Sequence, residues 1–193
     1  YEDAISYLER ALQLSGGIPE DMDYDMNYYL ATAYFRNGQA EAAIGAYDAI
    51  LALRPKEVEA YYLRGCVKLY TGDFEGAKLD FDQAISMDAQ NYDRLIQIYI
   101  ALVDNGYKDV GREYFAQVIA DNEKTISDYD MGRIYYYLED YENAKNYLSK
   151  VKISANYEAS LYLGRTYEAL GDYDYASSIY NDYTLNDQSQ PEI

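Results

Sequence analysis

The sequence predicts an all-α solenoid, a stack of helix–turn–helix units that bury their apolar faces against one another. Three observations predict it: a short phrase that recurs along the chain, a period close to 34 residues between its copies, and apolar residues at helical spacing between them. In its clearest copies the phrase reads Gly72-Asp-Phe-Glu-Gly-Ala77 and Gly171-Asp-Tyr-Asp-Tyr-Ala176.

The spacing of the copies is nearly constant along the chain. The small residue that closes each copy stands at Ala43, Ala77, Gly111, Ala144 and Ala176, so the successive steps are 34, 34, 33 and 32 residues. A truncated copy, Tyr1-Glu-Asp-Ala4, opens the chain. A period of this length, made of helical segments, is typical of repeat proteins whose core lies at the interfaces between neighbouring units.

Turn signals divide each unit into two helices. They fall near the middle of each period, at Asn37-Gly38, Thr71-Gly72-Asp73, Asn105-Gly106 and Leu170-Gly171-Asp172. We expect the Gly to end the first helix in a left-handed conformation and the following Asp to cap the second helix.

The residues around these turns resemble the tetratricopeptide repeat (TPR) pattern. The unit at 157–190 carries Leu163-Gly164, Tyr167, Gly171-Asp172-Tyr173, Ala176 and Tyr180, and the unit at 58–91 carries Gly65, Gly72-Asp73-Phe74, Ala77, Phe81 and Ala84-Ile85. The resemblance implies a right-handed α-solenoid of about five and a half repeats in one domain over 1–193. Its parts are a partial repeat at 1–18, a loop at 19–23, and repeats at 24–57, 58–91, 92–124, 125–156 and 157–190.

Two departures from the pattern lead to local predictions. Arg64 and Lys68 stand at first-helix positions where the pattern usually has Leu and Tyr. Because a buried unpaired Arg is costly, we expect Arg64 to reach Asp80 on the second helix of its own unit, within about 6 Å. Gly111 replaces the usual Ala at the small position, which predicts a second helix that is locally weaker by about 1 kcal/mol.

The charge balance excludes partners with a strongly negative surface. Thirty-four acidic residues stand against 16 basic ones, which gives a net charge of −18. Such a field repels nucleic acid and anionic membranes, while it keeps a helical surface soluble and attracts a cationic partner. No segment approaches the ~20 consecutive apolar residues of a membrane helix. We therefore expect neither nucleic-acid binding nor membrane insertion by this segment.

The commonest signatures of a catalytic site are missing. The chain has no His, the commonest general base near neutral pH and the commonest metal ligand. Its one cysteine, Cys66, excludes an internal disulfide and has no partner of the kind that activates a thiol. Neither a phosphate-binding loop nor a dinucleotide fingerprint is present. The sequence predicts a protein that is not an enzyme, with no cofactor and no metal.

One acidic stretch imitates the start of a calcium loop. Asp21, Asp23, Asp25 and Asn27 alternate as the first ligands of such a loop would. However, Met26 and Thr32 stand where the loop needs Gly and a bidentate Glu. We interpret the stretch as a polar connection that caps a helix.

The TPR resemblance implies a concave face lined by the first helices. Its predicted groove residues are Tyr28, Tyr29, Thr32, Phe35, Arg36, Tyr62, Cys66, Leu69, Tyr70, Ile96, Ile100, Val103, Arg133, Tyr136, Tyr137, Tyr162 and Arg165. A solvated groove has no packing need for so many large apolar groups, and Tyr and Arg are residues that anchor protein interfaces. Asp25, Glu59 and Asp93 add an acidic edge.

We interpret the chain as a protein–protein interaction scaffold whose groove binds a peptide segment, extended or helical, from a partner with basic flanks. The Lys and Asn clamp with which some TPR modules bind a terminal carboxylate is not assembled, since Tyr28, Thr32 and Tyr62 stand in that region. Two alternatives remain: a structural subunit that associates through solenoid ends without polar caps, and a carbohydrate-binding module that uses stacked tyrosines.

The resemblance extends to bacterial Tyr- and Asp-rich TPR proteins, some of them exported or lipid-anchored, and implies a bacterial source. The chain does not begin with Met, which fits a removed export signal and equally a piece of a longer array. Exported, lipid-anchored and cytoplasmic locations therefore remain open.

Overall fold

The computed structural model describes residues 1–15, 21–122, 124–152 and 156–187. Within these ranges the chain forms eleven α-helices and no strand. The helices are α1 (Glu2–Leu14), α2 (Asp21–Arg36), α3 (Ala40–Leu53), α4 (Val58–Tyr70), α5 (Phe74–Met87), α6 (Tyr92–Asp104), α7 (Lys108–Asn122), α8 (Asp128–Tyr137), α9 (Tyr141–Leu148), α10 (Tyr157–Ala169) and α11 (Tyr173–Asp187). One helix is thus followed by five helix–turn–helix pairs, which confirms the predicted all-α repeat fold.

Each predicted repeat contains one first helix and one second helix. The first helices are α2, α4, α6, α8 and α10, and the second helices are α3, α5, α7, α9 and α11, while α1 stands in the partial repeat. The predicted loop at 19–23 is corrected, because α2 begins at Asp21 and includes residues 21–23; residues 19–20 lie outside the described part. Side chains two residues apart on a helix point to nearly opposite sides. Asp23, Asp25 and Asn27 therefore do not converge on one calcium ion.

The chain forms two compact units, Tyr1–Gly111 and Arg112–Ile193, with the boundary inside α7. In the first unit, α1 packs on α2, α2 on α3, α3 on α4 and α4 on α5. In the second unit, α8 packs on α9, α9 on α10 and α10 on α11. The closest pairings join helices that are neighbours in sequence, as in other repeat proteins. The prediction of a single domain over 1–193 stays a prediction.

The repeated Gly-Asp phrase forms the turns that the sequence predicts. The φ angles of Gly38, Gly72, Gly106 and Gly171 are +77°, +86°, +86° and +81°. The Asp73 carboxylate accepts a hydrogen bond from the Gly76 amide at 2.9 Å and so caps α5. Glu139 occupies the equivalent turn position in the fourth full repeat, with a φ of 66°, and Asp140 caps α9.

Glycines on the first helices allow large side chains of the second helices to approach closely. A Cβ atom on Gly65 would lie 2.7 Å from the Phe81 ring, and one on Gly164 would lie 2.3 Å from the Tyr180 ring. These separations are shorter than carbon atoms tolerate, so any larger residue would force the helices apart. The signature glycines are thus packing residues.

The repeat at 92–124 inverts this arrangement. Tyr99 stands where the other first helices have a small residue, and Gly111 stands opposite it on α7. A Cβ atom on Gly111 would lie 2.7 Å from the Tyr99 ring, which is buried. The interpretation of Gly111 as a simple weakening of its helix is incomplete, because the glycine makes room for a tyrosine.

The predicted pairing of Arg64 with Asp80 is confirmed. Arg64 Nε donates to Asp80 Oδ2 at 2.9 Å, and Arg64 Nη2 donates to Asp80 Oδ1 at 2.5 Å. Arg64 Nη1 also donates to Asp48 at 2.5 Å, and Lys68 Nζ lies 2.8 Å from Asp80 Oδ2. Asp80 is only 3% exposed. Two cations of the first helix are therefore held by one buried carboxylate of the second helix.

Candidate functional site

In the N-terminal unit, the candidate site is the surface formed by α2, α4 and α6, here called the N-terminal face. Of the predicted groove residues, it carries at least partly exposed side chains at Tyr28, Tyr29, Thr32, Phe35, Arg36, Tyr62, Cys66, Tyr70, Ile100 and Val103. Tyr29 and Tyr70 are the most exposed of its tyrosines, at 69% and 71%. Such large exposed apolar side chains are typical of contact surfaces.

Two predicted groove residues are corrected. Leu69 is 2% exposed and Ile96 is 4% exposed, so both pack inside the N-terminal unit and are closed to a bound peptide. Their positions along the first helices resemble those of the exposed residues. The two groups differ because neighbouring helices bury Leu69 and Ile96. Spacing along a single helix cannot reveal such burial.

The first cavity of the N-terminal face lies at the beginnings of α2 and α4. Its volume is about 340 Å³, and its lining residues are Tyr24, Asp25, Tyr28, Tyr29, Glu57 and Glu59. We call it the tyrosine–carboxylate pocket. Every charged residue of its lining is acidic. Tyr24 and Glu57 were absent from the predicted groove, and only their places beside the predicted residues at the helix starts could have indicated them.

A second cavity lies where α2 and α4 end. It has a volume of about 240 Å³ and is lined by Phe35, Arg36, Gly38, Ala40 and Tyr70. The Phe35 and Tyr70 rings meet edge to face, with centroids 5.2 Å apart. We call it the aromatic notch. It offers apolar ring surface beside one exposed arginine, whereas the tyrosine–carboxylate pocket offers rings beside acids.

Between the two cavities, the side chains of Tyr62 and Cys66 contact each other on α4. The Arg94 guanidinium carbon lies 4.0 Å from the centroid of the Tyr62 ring, and Arg94 also donates to Glu59. Burial raises the pKa of the Cys66 thiol to about 11, although the Tyr62 hydroxyl and Arg94 favour the thiolate. The thiol is therefore held in its protonated form, and its chemistry does not suit a nucleophile.

In the C-terminal unit, the corresponding surface of α8 and α10 is called the C-terminal face. The predicted groove residues there are Arg133, Tyr136, Tyr137, Tyr162 and Arg165. Tyr162 lies at the centre, with ring centroids 5.5 Å from Tyr136 and 6.2 Å from Tyr137. The Tyr137 and Tyr162 hydroxyl oxygens are 3.3 Å apart. All three tyrosines are half-buried and contact one another through their rings, and the hydroxyl groups of Tyr137 and Tyr162 share a hydrogen bond.

Arg133 is corrected from a groove residue to a buried one. It is 7% exposed, and its guanidinium carbon lies 4.9 Å from the Tyr129 ring centroid and 5.7 Å from that of Tyr162. Its Nη1 also lies 3.4 Å from Asp130. Arg165 is the exposed cation of this face, 6.0 Å from the Tyr162 ring centroid. The arginine between the rings helps to hold the tyrosines together.

The described part of the chain carries neither a membrane-spanning helix nor a cluster of metal ligands. None of the described helices is both long enough and apolar enough to cross a membrane. No group of three or more acidic or cysteine side chains in the described ranges has a geometry that could hold a metal ion.

The helix pairs and their exposed aromatic faces define an all-α helical repeat protein. A family model described as "Tetratricopeptide repeat" matches residues 1–58 and 129–191, and a second model with the same description matches residues 58–91. These matches cover more than half of the chain, and the chain belongs to the tetratricopeptide repeat family. Proteins of this family and fold are generally non-enzymatic scaffolds for protein–protein interaction.

Solved structures with the same fold extend over nearly the whole chain. A tetratricopeptide repeat protein from Parabacteroides merdae is 16% identical, with a TM-score of 0.58, over 97% of this chain and 73% of that one. BtubC (BKLC) from P. vanneervenii is 14% identical, with a TM-score of 0.58, over 100% of this chain and 94% of that one. A protein of TPR-like repeats from Podosopora anserina is 16% identical to this chain, with a TM-score of 0.55, over 91% of this chain and 100% of that one. At these identities the likeness concerns the fold.

Proposed function

We propose that this chain binds a peptide segment of a partner protein along the N-terminal face. One observation carries the proposal: two highly exposed tyrosines, Tyr29 and Tyr70, stand on that face, each at the edge of a cavity. Cavities of about 240 and 340 Å³ lie at the small end of the range for ligand sites, and each has room for one side chain. A peptide that places one side chain in each cavity would use both.

The charge of the chain supports the choice of partner. With a net charge of −18, the protein attracts segments with basic residues and repels acidic ones. The exposed rings supply apolar contact area at a small cost in side-chain entropy, because a tyrosine has only two rotatable bonds to fix. A segment that combines one apolar anchor with basic flanks fits both features.

The test uses peptides of known sequence. A phage-displayed library of dodecapeptides is selected on the immobilised protein, and an enriched peptide is labelled with fluorescein for anisotropy titrations. We expect the double variant Tyr29→Ala/Tyr70→Ala to raise the Kd at least about tenfold, because it removes two interface anchors. The matched control is Tyr7→Ala/Tyr173→Ala, which removes two exposed tyrosines from other surfaces.

The outcome decides whether the N-terminal face is the binding surface. Equal weakening by the two double variants, or enrichment no better than on a blank surface, would contradict the proposal. Circular dichroism of each variant checks that the helices are retained, which we expect because the replaced side chains are exposed.

A second candidate function has its own observation. Helix α1 buries Ile5 against α2 but exposes Tyr7 and Leu14, so part of its surface is apolar and uncovered. Association of copies through this surface would make the chain a structural subunit of an assembly. Light scattering over a range of concentrations distinguishes the two candidates, since a constant molar mass removes this one and leaves peptide binding intact.

A further inference from the structure

The residues that line the tyrosine–carboxylate pocket favour positively charged ligands. Its three tyrosines, Tyr24, Tyr28 and Tyr29, present ring surfaces, and ring faces attract cations. Its charged side chains, Asp25, Glu57 and Glu59, are all carboxylates, which repel anions. Burial raises the pKa of the Tyr28 hydroxyl, and the negative charges of Glu57 and Glu59 raise it further. The pocket therefore favours a positively charged group with a flat or apolar body.

The chain's own arginines already use the same pattern next to the pocket. The Arg54 guanidinium carbon lies 3.7 Å from the centroid of the Tyr24 ring. Arg94 likewise lies over Tyr62 and donates to Glu59, a carboxylate that lines the pocket. Two arginines of the N-terminal unit are thus each held by a tyrosine face, and one of them also by a pocket acid. Asp25 and Tyr29 offer the same pair of groups, a carboxylate and a ring face, to a further guanidinium.

Part of the pocket is left for a ligand to use. Asp25 is exposed on the second turn of α2, and within the described residues its carboxylate forms no ion pair or hydrogen bond. The neighbouring Tyr29 side chain is 69% exposed, and its ring contacts no other aromatic ring among the described residues. A carboxylate and a ring face therefore stand side by side at the rim, where a side chain from outside can reach both.

We propose that the tyrosine–carboxylate pocket binds the guanidinium group of an arginine side chain from a partner peptide. A guanidinium is preferred to an ammonium because it is planar, weakly hydrated, able to stack on a tyrosine and able to form two parallel hydrogen bonds with a carboxylate. The inference rests on the proposed peptide binding, for which it specifies one side chain of the partner. It assigns that side chain to the pocket and leaves the aromatic notch to an apolar one.

The experiment uses small probes, so that it does not depend on an identified peptide. N-acetyl-arginine amide is titrated into the full chain, and binding is followed by NMR through the tyrosine ring signals. N-acetyl-citrulline amide has nearly the same shape but no charge, and N-acetyl-lysine amide has the charge without the planar group. We expect saturable binding of the arginine probe, about tenfold tighter than that of either other probe, because only a guanidinium offers both the charge and the plane.

Matched variants locate the binding. Asp25→Asn and Tyr29→Ala should each weaken the arginine probe by about fivefold, because each removes one of the two groups at the rim. Asp104→Asn and Tyr173→Ala alter an exposed acid and a similarly exposed tyrosine elsewhere in the chain, and they should leave the Kd within about twofold.

Several results would overturn the inference. Citrulline binding as tightly as arginine would remove the role of charge, and lysine binding as tightly would remove the role of the guanidinium plane. Equal weakening by Asp25→Asn and Asp104→Asn would indicate general attraction to an acidic protein. The failure of the arginine probe while a selected peptide still binds through Tyr70 would overturn this inference alone. Arginine binding without any selected peptide would overturn the proposed function alone.

Discussion

The N-terminal and C-terminal faces are built from the same residue types and differ in how their tyrosines are used. On the N-terminal face, Tyr29 and Tyr70 expose most of their surface at the edges of two cavities. On the C-terminal face, Tyr136 and Tyr137 pack around Tyr162, and all three are half-buried. Tyrosine content is therefore a poor guide to a binding surface, because rings that contact one another act as packing.

Arg64 and Arg133, one arginine from each unit, show two different ways of holding a guanidinium, although Arg54 and Arg94 of the N-terminal unit also lie over tyrosine rings. In the N-terminal unit, Arg64 pairs with Asp80 and Asp48, so carboxylates neutralise it. In the C-terminal unit, Arg133 is buried between tyrosine rings and Asp130. Arg133 lies between rings and holds them in place, whereas Arg64 is held mainly by carboxylates, with the Tyr61 ring centroid 5.4 Å away. We therefore expect mutations on the C-terminal face to lower the stability of the protein, and mutations of the exposed tyrosines on the N-terminal face to weaken peptide binding.

The largest expected effect is at Tyr162. Tyr162→Ala should lower the free energy of unfolding by about 3 kcal/mol, because it removes a ring at the centre of a packed cluster. Tyr29→Ala should change the same quantity by less than about 0.5 kcal/mol, since the side chain is exposed. Urea unfolding followed by circular dichroism measures both. Tyr162→Phe is the control that keeps the ring and should cost at most about 1 kcal/mol. Equal losses of stability in Tyr162→Ala and Tyr29→Ala would show that the tyrosines of the two faces do not differ in their contribution to packing.

The next effect concerns Cys66, which lies on the N-terminal face in contact with Tyr62. Burial raises the pKa of its thiol to about 11, so the thiolate fraction near pH 8 is about a hundredfold smaller than that of a thiol with the ordinary pKa of 9.0. Alkylation by iodoacetamide should be slower by about that factor than in the urea-unfolded chain. The rate should then rise about tenfold per pH unit below the raised pKa.

Variants test whether the contact with Tyr62 shields the thiol from water. Tyr62→Ala should accelerate the alkylation of Cys66, because it exposes the thiol to water and so removes the largest cause of the raised pKa. Tyr70→Ala, which removes an exposed ring of the same helix, should leave the rate unchanged. A wild-type rate as high as that of the unfolded chain would show that the face is open at this point too.

A smaller effect is expected at Asp80. Asp80→Ala should lower the free energy of unfolding by about 2 kcal/mol, because Arg64 and Lys68 lose a shared partner in a mostly buried place. The loss stays below that of a fully buried pair because Arg64 keeps Asp48. Asp82→Ala is the matched control on the same helix, in a half-exposed pair with Lys78, and should cost less than about 1 kcal/mol. Similar losses for the two variants would show that the N-terminal cations do not depend on a buried carboxylate.

The sequence predicted the features that the repeats share, but it did not predict which side chains are buried by neighbouring helices. The Gly-Asp turns and the pairing of Arg64 with Asp80 depend on residues a few positions or one helix pair apart, so the repeat pattern and the cost of a buried unpaired charge reveal them. The groove assignments of Leu69, Ile96 and Arg133 failed, because burial there depends on neighbouring helices. The start of α2 at Asp21 was missed because acidic residues are equally typical of loops and of first helical turns. The pocket acid Glu57 precedes a first helix, outside the pattern that defined the groove.

The smallest expected effect tests a device that both units share, a tyrosine packed on a glycine. Tyr180 packs on Gly164 in the C-terminal unit, and Tyr99 packs on Gly111 in the N-terminal unit with the order inverted. Gly111→Ala should lower the free energy of unfolding by about 1 kcal/mol, because overpacking against Tyr99 exceeds the gain in helix propensity. Gly45→Ala is the control, since its Cβ atom would meet nothing within 4 Å, and it should raise stability by about 0.5–1 kcal/mol. Thermal unfolding should thus shift in opposite directions for the two variants, by a few degrees each. A stabilised Gly111→Ala would mean that the Tyr99 ring can move aside, and that the N-terminal unit does not fix its buried tyrosines as the C-terminal unit does.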